Sequence, residues 1–437
     1  MQSQAFLLSC ALLAVCPVAA QEQLAPTVDG YVTRADSNTD FDVNGVHILC
    51  DEKTRVQEID DYKTISTQGC SQIPVFVGEV VQLYKSEWKK KQAIEASWIG
   101  FAMPQFGDDT SGSAVIDAVP SENSSDPQRK ILLLRADGYP IQISQKTEIA
   151  WVAPRQSLAD VKAGDWIDYR SKVSESRVLV ASWVRIGPDI VRKREEKQRA
   201  NTEFDPSSVP QSARQSRLSL GIEGMNPKKL APYQDPAMQA RLDEIGNKLV
   251  PAYQREMPAS DPEKIHFRFQ LVDSKFFRYA LPLASGVILV PHQVVERMQN
   301  DAQLAAILAD AIASVIEKEA YNWSPTKAKL RAAAYATEIA GSGALIASLA
   351  GATLAASVGW PDLWAPQEQN LRVSLGLLQD AGYDINQAPM AWWLLAPKKP
   401  KPLWETSMPG DVSYLYGILG EVWNNPRSVA VRSPANP

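Results

Sequence analysis

Histidine is nearly absent: His47, His266 and His292 are the whole supply in 437 residues. That scarcity limits imidazole-based catalysis and metal binding before any motif is sought. Cysteine is equally sparse. Of four, Cys10 and Cys16 fall at the extreme N-terminus, which leaves Cys50 and Cys70. Two cysteines without a CxxC cannot make a four-ligand zinc site. A basic excess is missing too: 45 Lys and Arg stand against 50 Asp and Glu, a net charge of −5. Nucleic-acid binding needs a basic face and is excluded as the main role. The short run Lys89-Lys90-Lys91 reads as a solvated hairpin turn.

What is present begins with residues 1–20, which read as a secretory signal. An apolar run from Ala5 ends in Val18-Ala19-Ala20, small residues where a signal peptidase inspects, and Gln21 opens the mature chain. The n-region carries no Lys or Arg. A lipoprotein reading through Cys16 is weaker, because Val15 is large for the residue before a lipidated cysteine. Export predicts a periplasmic or cell-surface location, and an oxidising compartment favours a Cys50–Cys70 disulfide over two free thiols. The chain is too long for one ordinary domain and long enough for two or three.

The first half contains a repeat. Asn44-Gly45 precedes Thr54 as Asp137-Gly138 precedes Thr147. Gly78-Glu79-Val80-Val81 parallels Gly164-Asp165-Trp166-Ile167, and Ala96-Ser97-Trp98 recurs as Ala181-Ser182-Trp183. The marks keep their order and nearly their spacing. Between them lie short β-branched and aromatic runs, and Asn-Gly or Asp-Gly between such runs is a strong hairpin signal. Two tandem β-barrel modules are predicted over 27–103 and 112–188, each of about five or six strands and similar to small OB-like barrels. A structural or protein-docking role is expected of them. Residues 189–232, charged and then rich in Pro and Ser, have the composition of a linker.

From 233 to about 430 the hydrophobic period changes from two to about 3.6. Asp235-Pro236 is an N-cap followed by proline at the first helical position, and Met238, Leu242, Ile245 and Leu249 mark one face. His266–Val272 and Gly286–Val290 read as strands. A helix begins at Asp301 with Leu304, Ile307, Leu308, Ile312 and Val315 on its buried side. In order come Val272-Asp273, Ala280-Leu281-Pro282, the strand Gly286-Val287-Ile288-Leu289-Val290, Gln303-Leu304-Ala305-Ala306-Ile307-Leu308-Ala309 and Ala381-Gly382-Tyr383-Asp384. This series resembles the zinc metallopeptidases (gluzincins) of the CAAX prenyl protease family, which include bacterial heat-shock proteases and periplasmic chaperone-proteases. The fold class expected is therefore β plus α+β: two small barrels followed by a mainly helical, metallopeptidase-like domain.

The resemblance implies an HExxH helix, in which two histidines one turn apart hold zinc and the glutamate activates water. Here Asp310, Ala311 and Ser314 stand at those places. Counting back from Ala-Gly-Tyr-Asp puts Gln367 at the third ligand, with Glu368 one residue off, and Met408 stands at a histidine that follows in the family. The nearest acids, Glu317 and Glu319, read as a solvated helix end; His266 and His292 read as ordinary surface or packed residues. No metal or cofactor is expected.

Three functions are compatible with this pattern. The first is an exported pseudo-peptidase that binds an extended polypeptide or a partner protein. The resemblance implies strand addition at an edge formed by Gly286, Val287, Ile288, Leu289 and Val290. The second is a divergent metalloendopeptidase with residual or rebuilt activity. The third is a structural envelope protein docking through its β modules. Residues 339–361 are uncharged and long enough to span a bilayer, but their Ala, Ser and Gly content favours a packed helical insert over membrane contact.

Overall fold

The computed structural model describes residues 28–60, 63–89, 93–102, 109–120, 131–174, 176–189, 191–213, 227–274, 279–319, 361–396 and 408–426; side-chain placement is described for the helix beginning at Pro361 only from residue 368 onward. The signal reading at 1–20 and nearly all of 339–361 lie outside these residues. Among the described residues, no helix is long and apolar enough to cross a membrane.

The first barrel is built from β1 (Val28–Ser37), β2 (Asp40–Val43), β3 (Val46–Leu49), β4 (Arg55–Asp60), β5 (Lys63–Gln68), β6 (Val80–Lys89) and β7 (Ala93–Ala102). Five strands close in the order β3-β2-β1-β6-β7, and β7 returns to β3 in parallel, with His47 opposite Ala93. The β4–β5 hairpin is appended outside this ring, β4 running parallel to β7 with Arg55 opposite Trp98. The second barrel uses β8 (Asp109–Ala118), β9 (Ile131–Ala136), β10 (Tyr139–Ser144), β11 (Glu148–Trp151), β12 (Asp165–Val173) and β13 (Leu179–Pro188). It closes identically, β10-β9-β8-β12-β13 with β13 parallel to β10, and β11 is appended to β13 with Glu148 opposite Trp183. Both are five-stranded Greek-key barrels, so the repeat read in the sequence is a repeat of structure.

The repeated residues have physical reasons. Asn44 and Gly45 have φ of 46° and 82°, and Asp137 and Gly138 have 56° and 72°. Two consecutive positive φ values define the type I′ turn, whose twist matches the strands it joins. Alternation then buries Val32, Phe41, Ile48, Leu83, Ile99 and Phe101 in the first barrel. Cys50 and Cys70 form a disulfide, S–S 2.05 Å, tying the end of β3 to the end of β5.

The connector is less free than its composition implied. It carries α1 (Lys193–Thr202), and Thr202 binds Ser285 through Oγ1 (3.1 Å) and its carbonyl (3.0 Å).

The C-terminal domain contains α2 (Pro236–Leu249), α3 (Ala252–Glu256), β14 (Arg268–Val272), β15 (Leu281–Pro282), β16 (Val287–Pro291), α4 (His292–Arg297), α5 (Asp301–Ile316), α6 (Pro361–Asp380), α7 (Ala388–Leu395) and α8 (Gly410–Ile418). A π-helical segment, Leu419–Trp423, continues α8. Asp235 caps α2 by accepting from Met238 N–H at 2.9 Å, as the sequence predicted. Ala-Gly-Tyr-Asp is a cap motif. Gly382 takes φ 70° after α6, Tyr383 N–H returns to Leu378 O at 3.0 Å, and Asp384 caps the next turn through Asn386 N–H.

One expectation is overturned. The strand 286–290 is not an edge: β16 lies in the middle of the sheet, parallel to β14 on one side and antiparallel to β15 on the other. Val287–Pro291 is buried throughout, because an all-apolar strand gains most with layers on both faces and neighbours on both edges. The outer edge of β14 is filled as well. Gln239 binds Phe269 O and Leu271 N–H, both at 2.9 Å, while Tyr233 and Ala231 take Leu271 O and Asp273 N–H.

The cores divide unevenly. The first barrel has its own apolar cluster. The second shares one continuous cluster with the helical domain, from Ile116 and Ile167 through Leu308 and Ile312 to Leu378 and Leu415.

Candidate functional site

Asn300 starts α5 by accepting from Gln303 N–H at 2.9 Å. The helix then runs buried against α2, α6 and α7. Asp310 and Ser314 are one turn apart and share a face; Asp310 is half-buried, while Ala311 and Ser314 are buried.

After Ile316 the chain turns sharply, with Lys318 in the left-handed region at φ 54°. Three consecutive charged side chains then leave in three directions. Glu317 accepts from Val115 N–H in the second barrel at 3.1 Å. Lys318 donates to Glu195 of α1 at 2.8 Å and pairs with Asp189 at 2.5 Å. Glu319 Oε2 accepts from Ser314 Oγ at 2.5 Å and from Asn370 Nδ2 of α6 at 2.7 Å. The expectation of a solvated helix end is therefore corrected: Glu317 is 2% exposed and Glu319 9%. A carboxylate goes this deep only with donors supplied. Burial first, and then the nearby Asp137, hold Glu317 well above the ordinary carboxylate range, with the Val115 N–H opposing.

The structure thus brings Ser314 together with α6, through Glu319 and Asn370. The Gln367 side chain lies outside the described residues. Glu368 sits one turn before Arg372, with its carboxyl raised by burial and lowered by that cation. Met408 is half-buried against the common core. His266 is exposed, and His292 stacks on Tyr233 at 3.9 Å and binds Glu296 at 3.0 Å.

The zinc of the resembling family does not fit these residues. Ala311 has no group to act as a base, and Ser314 spends its hydroxyl hydrogen on Glu319. Among the described residues, no three His, Cys, Asp or Glu side chains are grouped to hold a metal ion.

Sequence reasoning missed the charges that weld the second barrel onto this helix pair. Gln369 Nε2 donates to Ser113 O at 2.9 Å and to Glu317 Oε2 at 3.3 Å. Arg135 is 1% exposed and lies between Asp117 (2.9 Å) and Asp380 (2.6 Å). Burial pushes the Asp117 carboxyl up to about 7 despite Arg135 beside it. Arg372 pairs with Asp137, donates to Tyr414 OH at 2.5 Å and covers the Tyr139 ring at 4.8 Å. Asp137 in turn accepts from Tyr169 OH at 2.7 Å. Only Asp137 carried a signal, as the first residue of a recognised turn, and that signal spoke of the turn alone. What these groups do together is join the second barrel to the helices: Arg135 reaches Asp380 of α6, and Arg372 of α6 reaches Asp137 of the barrel. No protein-family model matches the chain, and no curated protein matches it either.

Proposed function

We propose that this chain is an exported, non-catalytic protein of peptidase-like design that holds an extended polypeptide or a partner protein in the cell envelope. The observation that carries the non-catalytic part is the Ser314–Glu319–Asn370 joint: the residue at the place of the second expected ligand spends its hydroxyl hydrogen on Glu319, which Asn370 also holds. The signal-like N-terminus and the Cys50–Cys70 disulfide support an oxidising, exported setting.

For the binding part, strand addition needs a sheet edge with unpaired backbone groups. Among the described residues β16 offers none, β15 is two residues long and includes Pro282, and β11 has four residues. Among the described residues β5 is an open edge of six residues, paired on one side to β4. The polypeptide is therefore assigned to β5, beside the disulfide.

The test has two arms. Metal analysis and an unstructured-protein cleavage assay on the mature chain are expected to give no stoichiometric zinc and no products. A titration with the same unfolded protein is expected to saturate. Proline scanned through Thr64–Thr67 should abolish binding at alternate positions, those whose N–H points away from β4. Zinc at one equivalent with cleavage would replace this reading by the divergent peptidase, and absence of any binding would sink it. The reading as an envelope protein docking through its β modules draws on one observation, the separate core of the first barrel. It predicts capture of a folded partner that survives every proline in β5.

A further inference from the structure

Among the described residues the first barrel meets the helical domain around α8 and the segment that follows it. Tyr31 of β1 stacks on Tyr416 of α8, ring centroids 6.2 Å apart. Asn424 Nδ2 donates to Val77 O at 2.9 Å and to Asn386 Oδ1 at 2.9 Å. Between these contacts the backbones of Gly78 and Gly420 cross so closely that a Cβ on either would collide with the other chain. Gly420 belongs to the π-helical segment, and a π turn inserts one extra residue into a helix, often at a functional place.

The residue after Gly420 is Glu421. It is 5% exposed, and its Oε1 has no hydrogen-bond partner among the described residues. No carboxyl should be left so unless it is neutral or carries a role. Titratable and charged groups of both barrels interact electrostatically with it. Arg177 comes from the β12–β13 turn of the second barrel and Tyr139 from β10; Tyr31, with Asp29 beside it, comes from β1 of the first barrel. Glu79 follows Gly78 at the crossing, and Tyr416 lies just over one helical turn before Glu421. The only cation among these is Arg177.

We propose that Glu421 makes docking of the first barrel pH-dependent: protonated, it lets the barrel seat on the π-helical segment, and ionised, it loosens that seat. The protonated acid is neutral and is tolerated in its buried place next to the glycine crossing. Losing its proton puts a charge in the same place, with Asp29 on the approaching barrel and Arg177 as the counterweight. Burial raises the Glu421 carboxyl to about 8, with Arg177 pulling it down. The sign follows: the docked state retains a proton that the undocked carboxyl gives up in its ordinary range, so docking is complete below about pH 4.5 and is lost progressively as pH rises to about 8. Across that window each pH unit should lower the docking equilibrium about tenfold, and above about 8 the response should level off.

The test is amide hydrogen exchange on the full mature chain from pH 5 to 9, with labelling times scaled for the intrinsic pH dependence of exchange. Peptides covering Tyr31–Val32 and Gly78–Glu79 should lose protection about tenfold per pH unit up to about pH 8 and level off above it, while β8 in the second barrel stays protected. Glu421→Gln should remove that change and keep the barrel docked at pH 9. Arg177→Gln, with the counterweight gone, should move the pH at which the response levels off upward, and it serves if the first variant folds poorly. An identical pH response in Glu421→Gln, a flat response in the unmodified chain, or a downward shift of the levelling point in Arg177→Gln would each overturn the proposal.

Discussion

The two barrels share a strand order, a type I′ turn and an Ala-Ser-Trp strand, yet they are attached to the helical domain by opposite means. Both present the same end to it. In the first barrel Gly45 lies beside Trp393 and Gly78 crosses Gly420; in the second Gly138 meets Arg372 and Gly164 meets the Tyr253 ring. The second barrel adds buried ion pairs and a continuous apolar core. The first relies on backbone contact, one ring stack and an amide, and keeps a separate core. In its place it has a disulfide and an extra strand, β5, that the second lacks. One fold has thus been used once as a welded part and once as a separately stabilised one. A conserved surface geometry does not dictate how strongly it is held.

The contrast can be broken most severely at Arg135. Arg135→Ala leaves Asp117 and Asp380 buried without their cation, and loss of one member of such a group costs about 3–5 kcal/mol. Denaturant unfolding should show that loss, with the second barrel and helical domain melting together. Removing the disulfide with Cys50→Ala and Cys70→Ala should cost about 3 kcal/mol, since it frees a loop of some twenty residues. Here only the first barrel should lose hydrogen-exchange protection. Gly78→Ala and Gly164→Ala compare the two seats directly. Both positions have positive φ, 94° and 90°, so each substitution is strained by about 1–3 kcal/mol. Gly78→Ala should be the worse, because its Cβ meets backbone while that of Gly164 meets a ring able to shift.

A pH series sharpens the comparison further. Asp117 is raised to about 7, so its folded-state proton is retained up to there. Its contribution is complete at about pH 4 and is lost as pH rises to about 7. Stability should fall across that window, and Asp117→Asn should make the slope shallower by about 1 kcal/mol per pH unit. The smallest effect is expected on the outer face of the first barrel. Arg34 meets Asp36, Asp40 and Asp42 there in solvent-exposed pairs. Arg34→Ala should change stability by less than about 1 kcal/mol, measured as a midpoint shift in urea.

How much the sequence discloses depends on the range of the interaction. Turn residues act locally, so Asn44-Gly45, Asp137-Gly138 and the cap at Asp235 were legible, and through them the tandem barrels. Period-3.6 patterning marked α2 and α5. Glu317 and Glu319 were misread because their partners, Val115 and Asn370, lie far along the chain in other units, and a charged helix end looks the same whether it faces water or a donor. β16 was misplaced for a similar reason. The run Val287–Val290 says that both faces are buried but not which strands flank it, and β15 is only two residues long. The buried Arg135 had no local signature at all.

The turn at Lys318 carries a last consequence, for redesign. Grafting histidines at 310 and 314 would place two imidazoles one helical turn apart, but the second would evict the hydroxyl that Glu319 depends on. Glu319 shares its backbone bend with Glu317 and Lys318, so it cannot swing aside without loosening the second barrel or α1. Building a metal centre here would mean first finding new tethers for two other parts of the protein, so one tight bend sets how far this helix end can be redesigned.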